Sequence, residues 1–136
     1  YKENKMATWM ELKQGILGNP DFTVKDADKN AILLEFKFRN RRTQGVLIQR
    51  NETQDGEEWV EISSPVGDIS YDDLDNVLEL AGRVICGGIV KSGIYYTLRH
   101  SMLIDDLSYE EFMRPLEIIT KTADDIENLI TGQDSY

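Results

Sequence analysis

The spacing of apolar positions switches between a helical and a strand period along the chain, and each switch marks an element. Trp9, Leu12 and Ile16, joined by Met10 and Leu17, recur at helical spacing and predict a helix over about Thr8 to Leu17. Gly18-Asn19-Pro20 ends it, because Gly suits a helix C-terminus and Pro cannot continue the ladder. From Ile32 to Arg39 the period becomes two: Ile32, Leu34, Phe36 and Phe38 share one face, and Leu33, Glu35, Lys37 and Arg39 the other. Asn40 to Gln44 then read as a turn, Val46 to Arg50 as a second strand, and Asn51 to Gly56 as a polar loop carrying the turn signal Asp55-Gly56. Trp59 to Ile62 form a third strand, which Ser63-Ser64-Pro65 are expected to stop. Phe22-Thr23-Val24 offer a further strand ahead of these, with a turn at Asp26 to Asn30.

Helical spacing returns at Ser70. Tyr71, Leu74, Val77, Leu78 and Ala81 form the apolar stripe, Ser70 and Asp73 stand at capping-box spacing, and Gly82 ends the element. A short strand at Ile89-Val90 lies between glycines, and a long one follows from Ile94 to Ile104. Ile94, Tyr96, Leu98, His100, Met102 and Ile104 share one of its faces. The last helix opens on the capping box Ser108-Tyr109-Glu110-Glu111. Phe112, Leu116, Ile119, Ala123, Ile126 and Ile130 line one side of it, and Gly132 closes it. Pro115 lies too deep for a first-turn proline and predicts a kink or a later start. These elements compose an α+β domain: a twisted, mainly antiparallel sheet of about five strands, helices at both termini and one helix between the strands. The first and last helices cover one face, and the middle helix sits at an edge or a dimer contact.

Length and composition agree with a single folded domain over 1–136, with residues 1–7 expected to be disordered or added sequence. A chain of 136 residues buries roughly two-thirds of its unfolded surface in one core. With 40% hydrophobic residues it is no acidic disordered tail. A net charge of −10 sets phosphates at a disadvantage, so nucleic acid is an unfavoured partner. No apolar run reaches the length of a bilayer span, and no hydrophobic signal core follows the polar start, so a cytoplasmic setting without membrane is expected. Tyr1 in place of an initiator Met suggests trimming, which leaves open a removed signal segment. Asn51-Glu52-Thr53 fits a glycosylation acceptor, which matters only in a secretory setting.

Candidate chemistry is sparse. One cysteine, Cys86, permits neither an internal disulfide nor a cysteine zinc site, and reads as a small buried residue. Asp26-Ala27-Asp28-Lys29-Asn30 begins like a calcium loop, but Ala31 replaces the turn glycine and Lys37 the final glutamate. Asp105-Asp106 and Glu57-Glu58 are neighbours that would point apart on a strand; Asp72, Asp73, Asp124 and Asp125 read as capping or solvated helix charges. His100 lacks a placed nucleophile, since Ser101 points to the opposite face, and phosphate-loop glycine spacing is absent. We therefore expect no catalytic residue, metal or cofactor. Lys37, Arg39, Arg41, Arg42 and Arg50 concentrate positive charge on one hairpin. They suit an anionic ligand, such as a phosphate-bearing molecule or RNA, or an internal or intersubunit match to the acidic helices. Leu33, Leu47, Trp59 and Tyr95 fall opposite the face of Phe36, Ile48, Ile62 and Tyr96. Apolar groups on a second sheet face need a cover: the middle helix, a second subunit or a client segment.

This order of elements resembles the type III secretion chaperone-like fold, in particular the YbjN-like bacterial proteins once called sensory transduction regulators. The resemblance rests on RTQGVLIQRNETQDGEEWVEI (Arg42 to Ile62) and on SGIYYTLRHSMLIDDLSYEEFMRPLEIITKTADDIENLI (Ser92 to Ile130), with the closing Ala123-Asp124 helix. It spans about Trp9 to Ile130. Pro115 and the basic first hairpin depart from the pattern. The resemblance implies a homodimer that binds unfolded protein segments, without cofactor or active site. The expected function is a non-enzymatic, chaperone-like or regulatory module holding another protein, with a ligand-responsive regulator using the basic hairpin as the alternative.

Overall fold

The computed structural model describes residues 5–6, 8–38 and 41–131. In chain order the elements are β1 (Lys5–Met6), α1 (Trp9–Leu17), β2 (Thr23–Ala27), β3 (Ala31–Lys37), β4 (Thr43–Glu52), β5 (Glu58–Gly67), α2 (Tyr71–Gly82), β6 (Gly88–Ser92), β7 (Tyr95–Leu103), β8 (Leu107–Ser108) and α3 (Tyr109–Thr131). Six strands make one antiparallel sheet in the order β2-β3-β4-β5-β7-β6. The fold is α+β, with one strand more than expected, because Thr23–Ala27 does pair along β3. β1 and β8 form a separate two-stranded ribbon, with Lys5 beside Ser108 and Met6 beside Leu107.

Alternation decides which face is buried. Ile32, Leu34, Val46, Ile48, Val60, Ile62 and Leu98 all lie on one face and are fully buried. They join Trp9, Leu12 and Ile16 of α1 and Phe112, Leu116, Ile119, Ala123 and Ile126 of α3 in a single cluster. α3 packs on β5, β4 and β7. Its 23 residues span about 35 Å at the α-helical rise, enough to cross the central strands. Each large apolar side chain removed from water there contributes about 1.5–3 kcal/mol. α2 touches α3 and the edge strand β6, the edge position expected for it. Its stripe is shallow: Val77 alone is fully buried, while Tyr71 and Leu78 are exposed.

The ends of the helices follow local chemistry. Ser108 Oγ accepts from the Glu111 amide at 3.1 Å, and Glu111 Oε1 accepts from the Ser108 amide at 2.9 Å, the reciprocal box expected from sequence. At α2 the box does not form; the Ser70 hydroxyl donates to Asp73 Oδ2 instead, at 2.9 Å. Pro115 does not delay α3, which runs unbroken from Tyr109 through it. The helical bond to the Glu111 carbonyl is lost there, and burial of Phe112 and Leu116 on either side holds the helix in place. The expected closing residue Gly132 lies outside the described residues.

Pro65 does not stop β5 either. β4 and β5 pair only as far as Leu47 and Ser63, while β5 runs on beside β7 to Gly67. Pro65 thus sits where one neighbour has already left, and a missing N–H is tolerated. The buried Gln44 side chain fills the gap, donating to Ser64 Oγ at 2.7 Å and to the Pro65 carbonyl at 2.8 Å.

Phe112→Ala should cost about 3–5 kcal/mol in urea unfolding, and Ser108→Ala about 1 kcal/mol, the first through a core cavity and the second through a lost cap. A Phe112→Ala loss below about 1 kcal/mol would show that α3 does not seal this core.

Candidate functional site

Helices α1 and α3 contribute to the core on one face of the sheet. Strand register lays out the other, outer face in rows. One row runs Leu33, Leu47, Ser63, Arg99; the next runs Ala31, Gln49, Glu61, Ser101; a third runs Asn51, Trp59, Leu103. Leu33 therefore lies directly beside Leu47, and Trp59 beside Leu103. Tyr95 stands apart, at the turn joining β6 to β7. Leu33, Tyr95 and Leu103 are 39%, 48% and 36% exposed, and Leu47 and Trp59 are half-buried. The buried indole N–H of Trp59 has no hydrogen-bond partner among the described residues.

The four residues predicted for this face do lie on it, but as separate apolar islands. Between the islands run Gln49, Glu61 and Ser101, with Arg99 Nη1 3.4 Å from Glu61 Oε1. Leu103 belongs with them and was missed, although it shares the parity of Tyr95 along β7.

The basic hairpin is dismantled by its own chain. Arg42 Nε lies 3.0 Å from Asp124 Oδ1, and its Nη2 lies 3.3 Å from Glu127 Oε1. Asp124 and Glu127 are buried, which corrects the expectation of a solvated Asp124. Arg50 Nη2 meets Glu52 at 2.7 Å and its Nε meets Glu58 at 3.1 Å. Hydrogen bonds to Glu58 and then Glu52 raise its pKa, so it stays charged. Lys37 and Arg41 are exposed and make no ion pair among the described residues. Arg39 lies outside the described residues. Of the two readings of this hairpin, internal charge matching holds for Arg42 and Arg50, and among the described residues Lys37, Arg41, Arg42 and Arg50 are not brought to one site.

His100 faces inward, and its Nδ1 accepts the Gly87 amide at 3.0 Å; burial lowers its pKa. Ser101 lies on the opposite face, as expected. Asp26 and Ala27 belong to β2 instead of the turn, and Asp28 Oδ1 accepts the Asn30 amide at 2.9 Å, an ordinary polar turn. Cys86 is buried and free. Among the described residues no group of three His, Cys, Asp or Glu side chains could hold a metal, and no helix is long and apolar enough to cross a membrane. No family model matches the chain, and no curated protein matches it.

Arg42→Ala leaves two buried carboxylates without their guanidinium and should destabilise by about 3–5 kcal/mol, whereas Arg41→Ala should stay within about 0.5 kcal/mol. Chemical denaturation of both variants checks the contrast; equal small losses would mean that the Arg42 cluster is solvated.

Proposed function

We propose that the chain is a non-enzymatic protein-binding module, chaperone-like or regulatory, that holds a partner protein on the outer face of its sheet. The supporting observation is that α1 and α3 bury one face while Leu33, Leu47, Trp59, Leu103 and Tyr95 stay at least partly exposed on the other. Exposed apolar islands rimmed by polar rows suit a partner's side chains better than they suit water. The likeness in element order to YbjN-like and secretion chaperone-like proteins supports the same reading, and a cytoplasmic setting is part of the proposal. No cofactor enters the mechanism. The basic hairpin is not the binding site in this reading, since carboxylates already hold Arg42 and Arg50.

Self-association belongs to the proposal, and one edge suits it better than the other. β2 is broken by a bulge between Val24 and Asp26 and exposes Lys25, a blunted edge. β6 pairs with β7 regularly from Gly88 to Ser92, leaving its other side free for a strand of a second copy. α2 packs beside that edge, and its exposed Leu78 and Tyr71 lie away from the side of Asn76, Leu80 and Arg83 that meets α3. A second copy would cover both the edge and this flank.

Affinity capture from the native host, comparing the unaltered protein with Leu33→Ser plus Trp59→Ala, tests the partner surface. The double variant should keep its thermal midpoint within a few degrees and lose about tenfold or more of the captured protein. Unchanged capture by a folded double variant removes this face from the proposal. Sedimentation equilibrium should show a dimer that Leu78→Lys converts to monomer; a monomeric unaltered protein ends the homodimer part.

A further inference from the structure

The connection between α2 and β6, residues 83–87, is held at one point by a titratable side chain. Gly87 has φ of +79°, and a Cβ there would lie 2.5 Å from Ile119 Cδ1 and 2.9 Å from the Arg99 carbonyl oxygen. Only glycine fits, because any side chain there would run into Ile119 of α3 and the Arg99 carbonyl of β7. From that position its N–H donates to His100 Nδ1 at 3.0 Å. A backbone amide can only donate, so Nδ1 must carry a lone pair and the neutral ring its proton on Nε2.

We propose that His100 is an acid-sensitive latch: protonation of its Nδ1 sets one N–H against another and releases the α2–β6 connection while the rest of the fold stands. The geometry leaves little room for a milder response. Ile119 and the Arg99 carbonyl lie on the inner side of Gly87, so the exposed connection moves outward, while His100 sits on a strand paired through Ile62 to the centre of the sheet.

The surrounding charges are engaged elsewhere. Arg99 points to the outer face beside Glu61, and Arg83 pairs with Glu79 at 2.7 Å. On α3, Lys121 pairs with Asp125 at 2.7 Å, and Asp124 and Glu127 hold Arg42. Burial alone lowers the pKa of His100, with no carboxylate to hold an imidazolium. The sign follows: a histidine kept neutral by the fold stabilises it above the ordinary value near 6.5, and that contribution is lost as pH falls below this value.

Little else restrains the connection. Arg83, Ile85 and Gly87 are exposed, Ile85 at 91%, and Cys86 is its one buried residue. Opening should expose Cys86 and loosen the first β6–β7 pair, Gly88 with Arg99. The latch does not rest on the partner-binding reading.

Cys86 is the sole cysteine and reports the opening directly. Its labelling rate with 4,4′-dithiodipyridine, divided by that of a small thiol at the same pH, removes the reagent's own pH dependence. Between about pH 7.5 and about pH 5.5 this ratio should rise by about tenfold, with Trp9 fluorescence unchanged when read in a Trp59→Phe background. His100→Asn places Oδ1 near the Nδ1 position, accepts the same N–H at every pH and should stay within about twofold. A flat profile, an equal rise in His100→Asn, or a rise that accompanies Trp9 exposure overturns the proposal. Nuclear magnetic resonance of the unaltered protein gives a second check: the Gly87 amide and the His100 ring must titrate with one midpoint, and separate midpoints overturn it as well.

Discussion

An antiparallel sheet whose strands alternate strictly must bury one face, and here α3 does most of the covering. Ile32, Leu34, Ile48, Ile62 and Leu98 have no place in water, and the stripe from Phe112 to Ile126 meets them. α1 adds Trp9, Leu12 and Ile16. Once both long apolar surfaces are spent on each other, nothing within the described chain is left for the opposite face. Its mixed character follows from that arrangement. Polar rows are solvated there, and the leucines and Trp59 are the apolar remainder of that face.

The buried polar groups fix the arrangement that the apolar ones drive. Arg42 ties the start of β4 to two carboxylates one turn apart on α3, so the helix cannot slide along the sheet without stranding charge. Such a cluster is a weak source of net stability and a strong penalty against misplacement. Trp9 adds a similar anchor at the far end, where its indole donates to the Lys29 carbonyl at 2.8 Å. Asn19 reaches the Tyr109 hydroxyl at 2.8 Å, which sets α1 against the start of α3.

What was legible in the sequence was what depends on period and local chemistry. The alternation from Ile32 to Phe38 named the buried face, and Ser108 with Glu111 named the start of α3. What was not legible depends on who stands next to whom. Pro65 reads as a stop until β4 is known to end before it. Arg42 reads as a cation for a ligand or for the acidic helices until α3 supplies Asp124 and Glu127. The stripe on α2 gave no depth of burial; the helix sits at the rim of the sheet, where there is less to pack against. Of the candidate surface, parity placed Leu33, Leu47, Trp59 and Tyr95 on one face. Their division into islands needed the register, and Leu103 could have been found by the same parity.

The order of the elements along the chain also has a consequence for synthesis. β2 to β5 form a meander of sequential neighbours that can assemble soon after leaving the ribosome. The helix that covers it, α3, follows every strand of the sheet. The nascent meander must therefore wait, with most of its future interior open to water or to any holdase in reach, until the last helix emerges.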